Sequence, residues 1–348
     1  MISIVIPVFN TSKEAFKKCI GSIIANKYAD YEIVVIDDGS ESENSSYYTE
    51  IIGLNEKIRY RKTINQGAAL ARNQGVELSR GEYIMFVDAD DCITGECLEQ
   101  VNNAVELYNP DIIYGLVKKI FDLDEEKDNN EMSSNMVLLA EQYKTEFGCH
   151  MVGYKSERFL YKNGGYIADG PVARCFRKSL FQKIKFDEKP YWNEDTIWNL
   201  RLLNACKKIV ITDNIWYMYL VNKNSFTQGY RSSCLKEFNY RVKQEYDLAQ
   251  NELSCFSKGI YYRIFNDIFL LGRTYLFHEK NTNSLKKNYL MFYSAIKSQE
   301  YLESLKKVDF QCEKNLLNKS VRRIIRMDML YGKGILAYLI CKFYCKAR

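Results

Sequence analysis

The chain has 348 residues, of which 47% are hydrophobic and 27% charged, with only 4 prolines. This balance excludes a disordered chain, and the length allows one large domain or two smaller ones. The net charge is +5, and with only 2 histidines the chain has little material for a zinc site or a Ser-His-Asp triad, so we expect any catalytic base to be a carboxylate.

The 11 cysteines are scattered between Cys19 and Cys345 without paired CxxC spacing. The sequence after Met1 lacks the basic region and long apolar segment of a signal peptide. These features predict reduced thiols and a cytoplasmic protein. The longest apolar run falls far short of the roughly 20 residues that a membrane span needs.

The first half of the chain alternates strand and helix patterns. Alternation of this kind predicts an α/β fold whose central sheet is mostly parallel, with helices on both faces. The pattern loosens after residue 117, residues 122–134 read as a polar surface excursion, and from Ser232 onward the periodicity is helical. The predicted strands are 2–8, 32–37, 58–63, 83–87 and 112–117, and the predicted helices are 12–24, 66–79 and 95–108.

Three carboxylates, Asp88, Asp90 and Asp91, follow the apolar run 83–87. In an extended chain Asp88 and Asp90 point the same way, at the strand end where open α/β sheets bind ligands. Oxygen ligands at this spacing suit Mg²⁺ or Mn²⁺, which bind through one or two carboxylates together with substrate phosphates. The spacing predicts a metal-diphosphate site, although an isolated acidic triplet is also typical of a solvated turn or a helix cap.

Two further loops, 7–10 and 37–40, follow predicted parallel strands and gather at the same sheet edge as 88–91. The segment 65–75 opens a helix at Gly67 and carries Arg72, and a helix N-terminus and an arginine both suit a phosphate. Together these pieces predict a nucleotide site in which Asp38 accepts from the N3–H of a uracil. Two alternatives stay open: Asp37 caps the turn at Gly39, and Arg72 pairs with a surface carboxylate.

Five segments, in this order, closely resemble the family 2 glycosyltransferases of the GT-A fold: 3–10, 35–40, 65–67, 71–75 and 86–91. At lower specificity the resemblance extends to Thr227, through an acceptor-side segment at 170–177 and a Glu-Asp pair within 193–195. It implies a sugar-nucleotide donor, a divalent metal (Mn²⁺ or Mg²⁺) and inversion at the anomeric carbon. Arg174 stands where many relatives carry Lys.

The resemblance implies a set of site residues. Donor-nucleotide contacts are predicted at Pro7, Phe9, Asn10, Asp37, Asp38, Asn65, Gly67, Arg72, Asp88 and Ala89. Metal contacts are predicted at Asp88 and Asp90, acceptor contacts at Gly170, Pro171 and Arg174, and catalysis at Asp195 with Glu194. An acceptor contact is also predicted at Trp192, because its aromatic face beside these acids suits a sugar ring, with core packing as the open alternative. The domains are then a nucleotide-sugar half (1–110), an acceptor and catalytic half (111–229), and a helical region with a basic tail (230–348).

Inversion by a single displacement needs a base within hydrogen-bond reach of the acceptor hydroxyl, and Asp195 is our candidate. The same residues fit a helix start, in which Asn193 caps the helix and the acids of its first turn complement the dipole. The catalytic interpretation and the helix-start interpretation are compatible with each other.

The sequence therefore predicts an inverting, metal-dependent glycosyltransferase of bacterial surface polysaccharide synthesis, using a UDP-linked hexose or N-acetylhexosamine and a glycan or lipid-linked acceptor. The alternative is a nucleotide-sugar-binding protein without turnover, which would require misplaced acids. A nucleotidylyltransferase would need a Gly-rich, Arg-bearing loop after the first strand, and a dehydrogenase would need G-x-G-x-x-G there. Residues 7–10 match neither.

Between Lys319 and Arg348, 8 Lys and Arg face a single Asp. The segments 321–327 and 335–348 mix apolar, aromatic and basic residues, which suits an anionic membrane surface at the inner face of the cell membrane. A packing element and a contact between copies of the chain are the open alternatives. Nucleic-acid binding is not predicted, because no recognised fold signature accompanies the charge.

Overall fold

The computed structural model describes residues 1–53, 55–121, 136–161, 163–187, 194–221, 230 and 233–346. The chain forms two compact units, Met1–Lys144 with Leu160–Val221, and Thr145–Phe159 with Asn222–Arg348. Among the described residues of the predicted part 111–229, the second unit thus takes 145–159. The predicted boundary at 229 and the predicted excursion 122–134 lie outside the described residues.

Nine strands and thirteen α-helices are numbered along the described chain, each type separately. The strands are β1 (Ile2–Val8), β2 (Tyr31–Asp37), β3 (Ile58–Lys62), β4 (Tyr83–Phe86), β5 (Cys92–Ile93), β6 (Ile112–Ile120), β7 (Met136–Leu138), β8 (Arg174–Arg177) and β9 (Ile209–Leu220). The helices are α1 (Lys13–Ile24), α2 (Ser42–Ile52), α3 (Ala68–Leu78), α4 (Cys97–Tyr108), α5 (Lys144–Met151), α6 (Lys178–Phe181), α7 (Glu194–Ala205), α8 (Cys234–Gln250), α9 (Ser257–Leu271), α10 (Leu285–Ile296), α11 (Gln299–Lys307), α12 (Leu316–Tyr331) and α13 (Ile335–Lys346).

The first unit is built on one sheet in the order β3-β2-β1-β4-β8-β6-β9-β5, with β7 on β9. β1 pairs in parallel with β2 and β4, and β2 pairs in parallel with β3. Every residue of β1 and β2 is buried, as expected for β-branched runs covered on both faces. Across the sheet from β3, the first antiparallel pair is the one between β4 and β8, and β6 pairs with β8 in the same sense. The predicted fold class, a mostly parallel α/β domain followed by a helical region, is confirmed.

The register of these strands brings their carboxyl ends together. Val8 lies beside Asp37, and Asp37 lies beside Lys62, so the loops after β1, β2 and β3 leave the sheet at one edge. The polar segment that follows Ser40 forms α2, a helix that the sequence pattern did not indicate. Its buried residues Ser45, Tyr48 and Ile52 recur at helical spacing, but the serines of its first two turns conceal the pattern.

The second unit consists of helices, as predicted from the periodicity after Ser232. Its core includes Phe238, Ile264, Phe265 and Leu305, all fully buried. Among the described residues, no helix combines the length and the apolar character needed to cross a bilayer. None of the 11 cysteines, all of which lie in the described residues, forms a disulfide bond.

Candidate active site

The loops after β1 and β2 are tied to each other at the carboxyl edge of the sheet. The backbone N–H of Asn10 donates to Ser40 Oγ at 3.0 Å, and Asn10 Oδ1 accepts from the Glu41 N–H at 2.9 Å. Asn10 has a φ of +49°, which asparagine tolerates better than most residues. These bonds hold Phe9, whose side chain is 51% exposed, at the rim of the site.

Asp38 connects the loop after β2 to the start of α3. Its two carboxylate oxygens accept from the backbone N–H groups of Gln66 and Gly67, each at 2.8 Å. The carboxylate therefore accepts from the backbone N–H groups just before α3. The sequence predicts a phosphate at this helix start. Buried and bonded in this way, Asp38 positions the loop, and its contact with a uracil stays a prediction.

Asp37 is fully buried at the end of β2. It accepts from the Ser40 N–H at 2.8 Å and from the hydroxyls of Ser45 and Tyr60, both at 2.6 Å. Burial raises the pKa of Asp37, but these hydrogen bonds outweigh it and hold the pKa below its usual value. Asp37 thus caps the turn, which was the alternative reading, and its predicted direct contact with a nucleotide does not fit its burial.

Arg72 on α3 joins the acidic loop after β4 to the first turn of α7. Its Nη2 lies 2.8 Å from Asp88 Oδ1, and its Nη1 lies 3.3 Å from Asp195 Oδ1. The Arg72 side chain is only 6% exposed, whereas those of Asp88 and Asp195 are 35% and 32% exposed. The guanidinium lies 5.7 Å from the ring centre of Phe186, within cation–π range. One buried cation therefore holds two accessible carboxylates 107 residues apart in sequence.

The pKa of Asp195 is set by burial and by nearby charges. Burial raises its pKa, Arg72 opposes this, and the charges of Asp88 and Asp169 add to the increase, so the net pKa is raised. A raised pKa strengthens the carboxylate as a proton acceptor. Glu194 precedes it at the first position of α7 and is half-buried.

The three acids after β4 divide into two kinds. Asp91 is buried and accepts from the Tyr217 hydroxyl at 2.7 Å and the Leu220 N–H at 2.9 Å, while that hydroxyl accepts from the Asp88 N–H at 3.0 Å. Asp91 and Tyr217 thus fix the loop. Asp88 and Asp90 are half-buried, and burial followed by the charge of Asp88 raises the pKa of Asp90.

The chemistry of Asp88 and Asp90 fits a divalent cation. Both present hard oxygen donors, and a cation beside them would relieve the repulsion that raises the Asp90 pKa. Within the described part of the chain no group of three or more His, Cys, Asp or Glu side chains is arranged to hold a metal ion. A cation held here would complete its shell from substrate oxygens and water.

The acceptor-side segment is held from inside the unit. Arg174 is 1% exposed and donates from Nη2 to the Ala168 carbonyl at 2.8 Å and from Nε to the Val172 carbonyl at 3.2 Å. Its predicted contact with an acceptor does not fit this burial; Arg174 instead positions the loop. Gly170 is half-buried, Pro171 is buried, and Trp192 lies outside the described residues.

The remaining predicted donor contacts differ in accessibility. Asn65 is exposed and Gly67 half-buried, so both can meet a ligand, whereas Pro7 and Ala89 are buried. The predictions for Pro7 and Ala89 hold only for backbone contacts, because their side chains pack inward.

Three supporting residues are absent from the predicted set of site residues, although Asn73 lies in the motif 71–75. Tyr217 fixes the acidic loop, and Asn73 exchanges two 3.0 Å hydrogen bonds with the backbone of Phe186. Asn199 on α7 donates to the Gly170 carbonyl at 2.8 Å. Each of them contacts a segment more than 25 residues away, which no local pattern reveals.

Comparison with known proteins gives the family. The sequence pattern described as glycosyl transferase family 2 matches residues 3–185, more than half of the chain. The chain belongs to glycosyl transferase family 2. The resemblance seen in the first hundred residues is thereby confirmed.

Individual relatives and structures add detail. The chain is 26% identical to the uncharacterized glycosyltransferase EpsJ of Bacillus subtilis over 231 residues, 66% of this chain and 63% of EpsJ. It is 28% identical to the poly(ribitol-phosphate) beta-glucosyltransferase of Bacillus spizizenii over 229 residues, 64% of this chain and 32% of that protein. It spans less than two thirds of either relative.

The crystal structure of Staphylococcus aureus TarS 1-349 in complex with UDP-GlcNAc resembles this fold. The TM-score is 0.65 at 16% identity, over 100% of this chain and 92% of that one. At this identity the likeness shows the shared fold.

Proposed function

We propose that this family 2 glycosyltransferase moves a sugar from a UDP-linked donor to a hydroxyl of a glycan or lipid-linked acceptor, with inversion. The donor sugar is a hexose or N-acetylhexosamine, and the pathway is bacterial surface polysaccharide synthesis. The observation that carries the proposal is the single guanidinium of Arg72 bonded to both Asp88 and Asp195. It places an acid suited to a metal-diphosphate beside an acid suited to proton abstraction.

Asp195 acts as the general base. Arg72 holds its Oδ1, and Oδ2 has no hydrogen-bond partner among the described residues, which leaves that oxygen for the acceptor hydroxyl. Oδ2 takes the proton as the acceptor oxygen forms its bond to the anomeric carbon. The bond from that carbon to the diphosphate breaks on the opposite face, so the configuration inverts.

The donor nucleotide lies against the loops at the sheet edge. Phe9, Asn10 and Asn65 are the exposed predicted contacts there, and the ring of Phe9 offers a flat apolar face to a base. The crystal structure of TarS in complex with UDP-GlcNAc, which shares this fold, supports a UDP-linked donor.

Asp88 and Asp90 would hold Mn²⁺ or Mg²⁺, which when bound neutralises the charge of the departing diphosphate. The protein's own groups support this assignment. The N–H groups before α3 are occupied by Asp38, and Arg72 is bonded to two carboxylates, so both places that the sequence offered to a phosphate are already used.

The poly(ribitol-phosphate) beta-glucosyltransferase among the relatives supports a surface polymer as the acceptor. Reduced cysteines and the intracellular supply of nucleotide sugars agree with action in the cytoplasm.

A panel of nucleotide sugars, read by nucleotide release with and without Mn²⁺, tests the proposal. We expect metal-dependent release from a UDP-sugar, a fall of about 10²–10⁴-fold in kcat for Asp195→Asn, and retained UDP binding by that variant. Asp30→Asn, an exposed acid of the same unit, is the matched control. UDP binding without turnover for any donor and acceptor would favour a nucleotide-sugar-binding protein.

A further inference from the structure

The last two helices expose an unusual amount of apolar surface. Of the 23 large apolar side chains exposed among the described residues, 10 lie between Leu316 and Tyr344. On α12 they recur along one stripe, and on α13 they form a second stripe. We name nine of them, all except Tyr344, the apolar stripes: Leu316, Leu317, Ile324, Met327 and Tyr331 on α12, and Ile335, Leu336, Leu339 and Phe343 on α13.

The apolar stripes are not the faces by which these helices pack. α12 buries Ile325 and Met329, and α13 buries Ala337 and Cys341, on the sides away from the stripes. Each helix therefore has an inner apolar face that contributes to the core and an outer one that meets solvent. A stable fold needs only the first, because an outer apolar stripe adds nothing to the packing of the unit.

Basic residues accompany the apolar stripes. Lys319, Arg323, Lys333 and Lys342 have no ion-pair partner among the described residues. The one acid of the segment, Asp328, accepts from the Ala337 N–H at 2.8 Å and so caps the start of α13. The unpaired charges that α12, α13 and the turn between them contribute beside the stripes are therefore all positive.

We propose that the apolar stripes and their basic residues are a docking surface for an anionic lipid leaflet. Exposed Leu, Ile, Met, Phe and Tyr insert at the boundary of headgroups and acyl chains, while Lys and Arg meet anionic headgroups. A second copy of this chain fits less well, because a symmetric interface would bring the same unpaired cations face to face. This surface belongs to the helical unit, and its lipid binding requires neither donor nor acceptor.

Vesicle co-sedimentation of the full chain tests the proposal. The probes are phosphatidylcholine vesicles with and without one third phosphatidylglycerol, at about 0.05 M and about 0.5 M NaCl. We expect pelleting with the anionic vesicles that weakens at high salt. The double variant Leu339→Ser with Phe343→Ser should reduce the partition coefficient at least tenfold. Removing a charge by Arg323→Gln or Lys342→Gln should reduce it about fivefold each.

Matched controls replace exposed residues of the first unit. Leu107→Ser removes a leucine as exposed as those of the stripes, and Lys17→Gln removes an exposed cation. Both should pellet like the unchanged protein. The substituted side chains are exposed except that of Lys342, which is half-buried, and circular dichroism checks that the variants fold.

Two outcomes would overturn the proposal. In one, the unchanged chain stays in the supernatant with anionic vesicles, or the double serine variant pellets equally well. In the other, sedimentation velocity shows a dimer that the same two serines dissociate, which would assign the apolar stripes to a second copy of the chain.

Discussion

Arg72 and burial act on Asp195 in opposite directions, and burial prevails. Because Asp195 must be ionised to accept a proton, we expect kcat/KM to fall as pH decreases through its pKa, which lies above the usual value of 3.8. The measurement is kcat/KM against pH for the unchanged enzyme and for Asp195→Asn. The residual activity of the variant should lack this acidic limb. An acidic limb at the same pH in Asp195→Asn would assign the base to another group.

Replacing Arg72 should alter both the stability and the pH profile. Arg72→Met leaves Asp88 and Asp195 without their shared cation. Because both carboxylates are about one-third exposed, water compensates in part, and we expect a loss of about 1–3 kcal/mol in the free energy of unfolding.

The second effect of Arg72→Met concerns the pKa of Asp195. Arg72 lowers that pKa, so its removal should move the acidic limb of kcat/KM to higher pH. Urea unfolding and pH-rate measurements check the two effects. Arg80→Met, which removes an exposed arginine two residues beyond α3, should change neither. An unshifted limb in Arg72→Met would contradict the contact between Arg72 and Asp195.

At the scale of elements, the loops at the sheet edge behave as one assembly. Gly39 has a φ of +78°, and a Cβ added there would lie 2.6 Å from the backbone nitrogen of Asn65. Gly39→Ala should therefore weaken donor binding and cost about 1–2 kcal/mol of stability for the left-handed conformation alone. Titration calorimetry with UDP and thermal unfolding measure the two effects.

The matched control for Gly39→Ala is Gly21→Ala in α1. Nothing lies within 4 Å of a Cβ added at Gly21, and alanine is the better helix former, so this variant should gain about 0.5–1 kcal/mol. Equal UDP affinity in both variants would show that the packing of Gly39 against Asn65 does not shape the donor site.

Five of the strands were predictable because their signal is local, whereas β5, β7, β8, β9 and the loop contacts were not. β1, β2 and β4 are largely β-branched or apolar runs, and each is followed within two residues by Asn or Asp, which indicates their type and the edge they share. The partners of Asp38 lie 28 and 29 residues away, and those of Asp37 reach Tyr60 on β3. Which carboxylates face a ligand and which hold a loop depends on these distant contacts.

At the scale of the whole molecule, the sequence predicted the secondary structure of the second unit but not which of its residues are buried. The helical class of the second unit followed from its periodicity, but its interior did not. Arg241 and Glu245 stand four residues apart on α8, a spacing typical of an exposed helix pair. The structure buries both of them completely, with Asp267 bonded to Arg241 and with Arg263 3.5 Å from Glu245.

Removing Arg241 should therefore be costly. Arg241→Met leaves Glu245 and Asp267 charged in the interior, and we expect the free energy of unfolding to fall by about 3–5 kcal/mol.

Burial already raises the pKa of Glu245 and of Asp267, and losing Arg241 raises it further. A group whose folded pKa lies above its unfolded value favours folding at low pH and loses that contribution as pH rises. Urea unfolding should thus show a smaller deficit at about pH 5 than at about pH 8. Lys243→Met, on the exposed side of the same helix, should show almost no deficit at either pH. A pH-independent deficit in Arg241→Met would mean that these acids stay ionised without it.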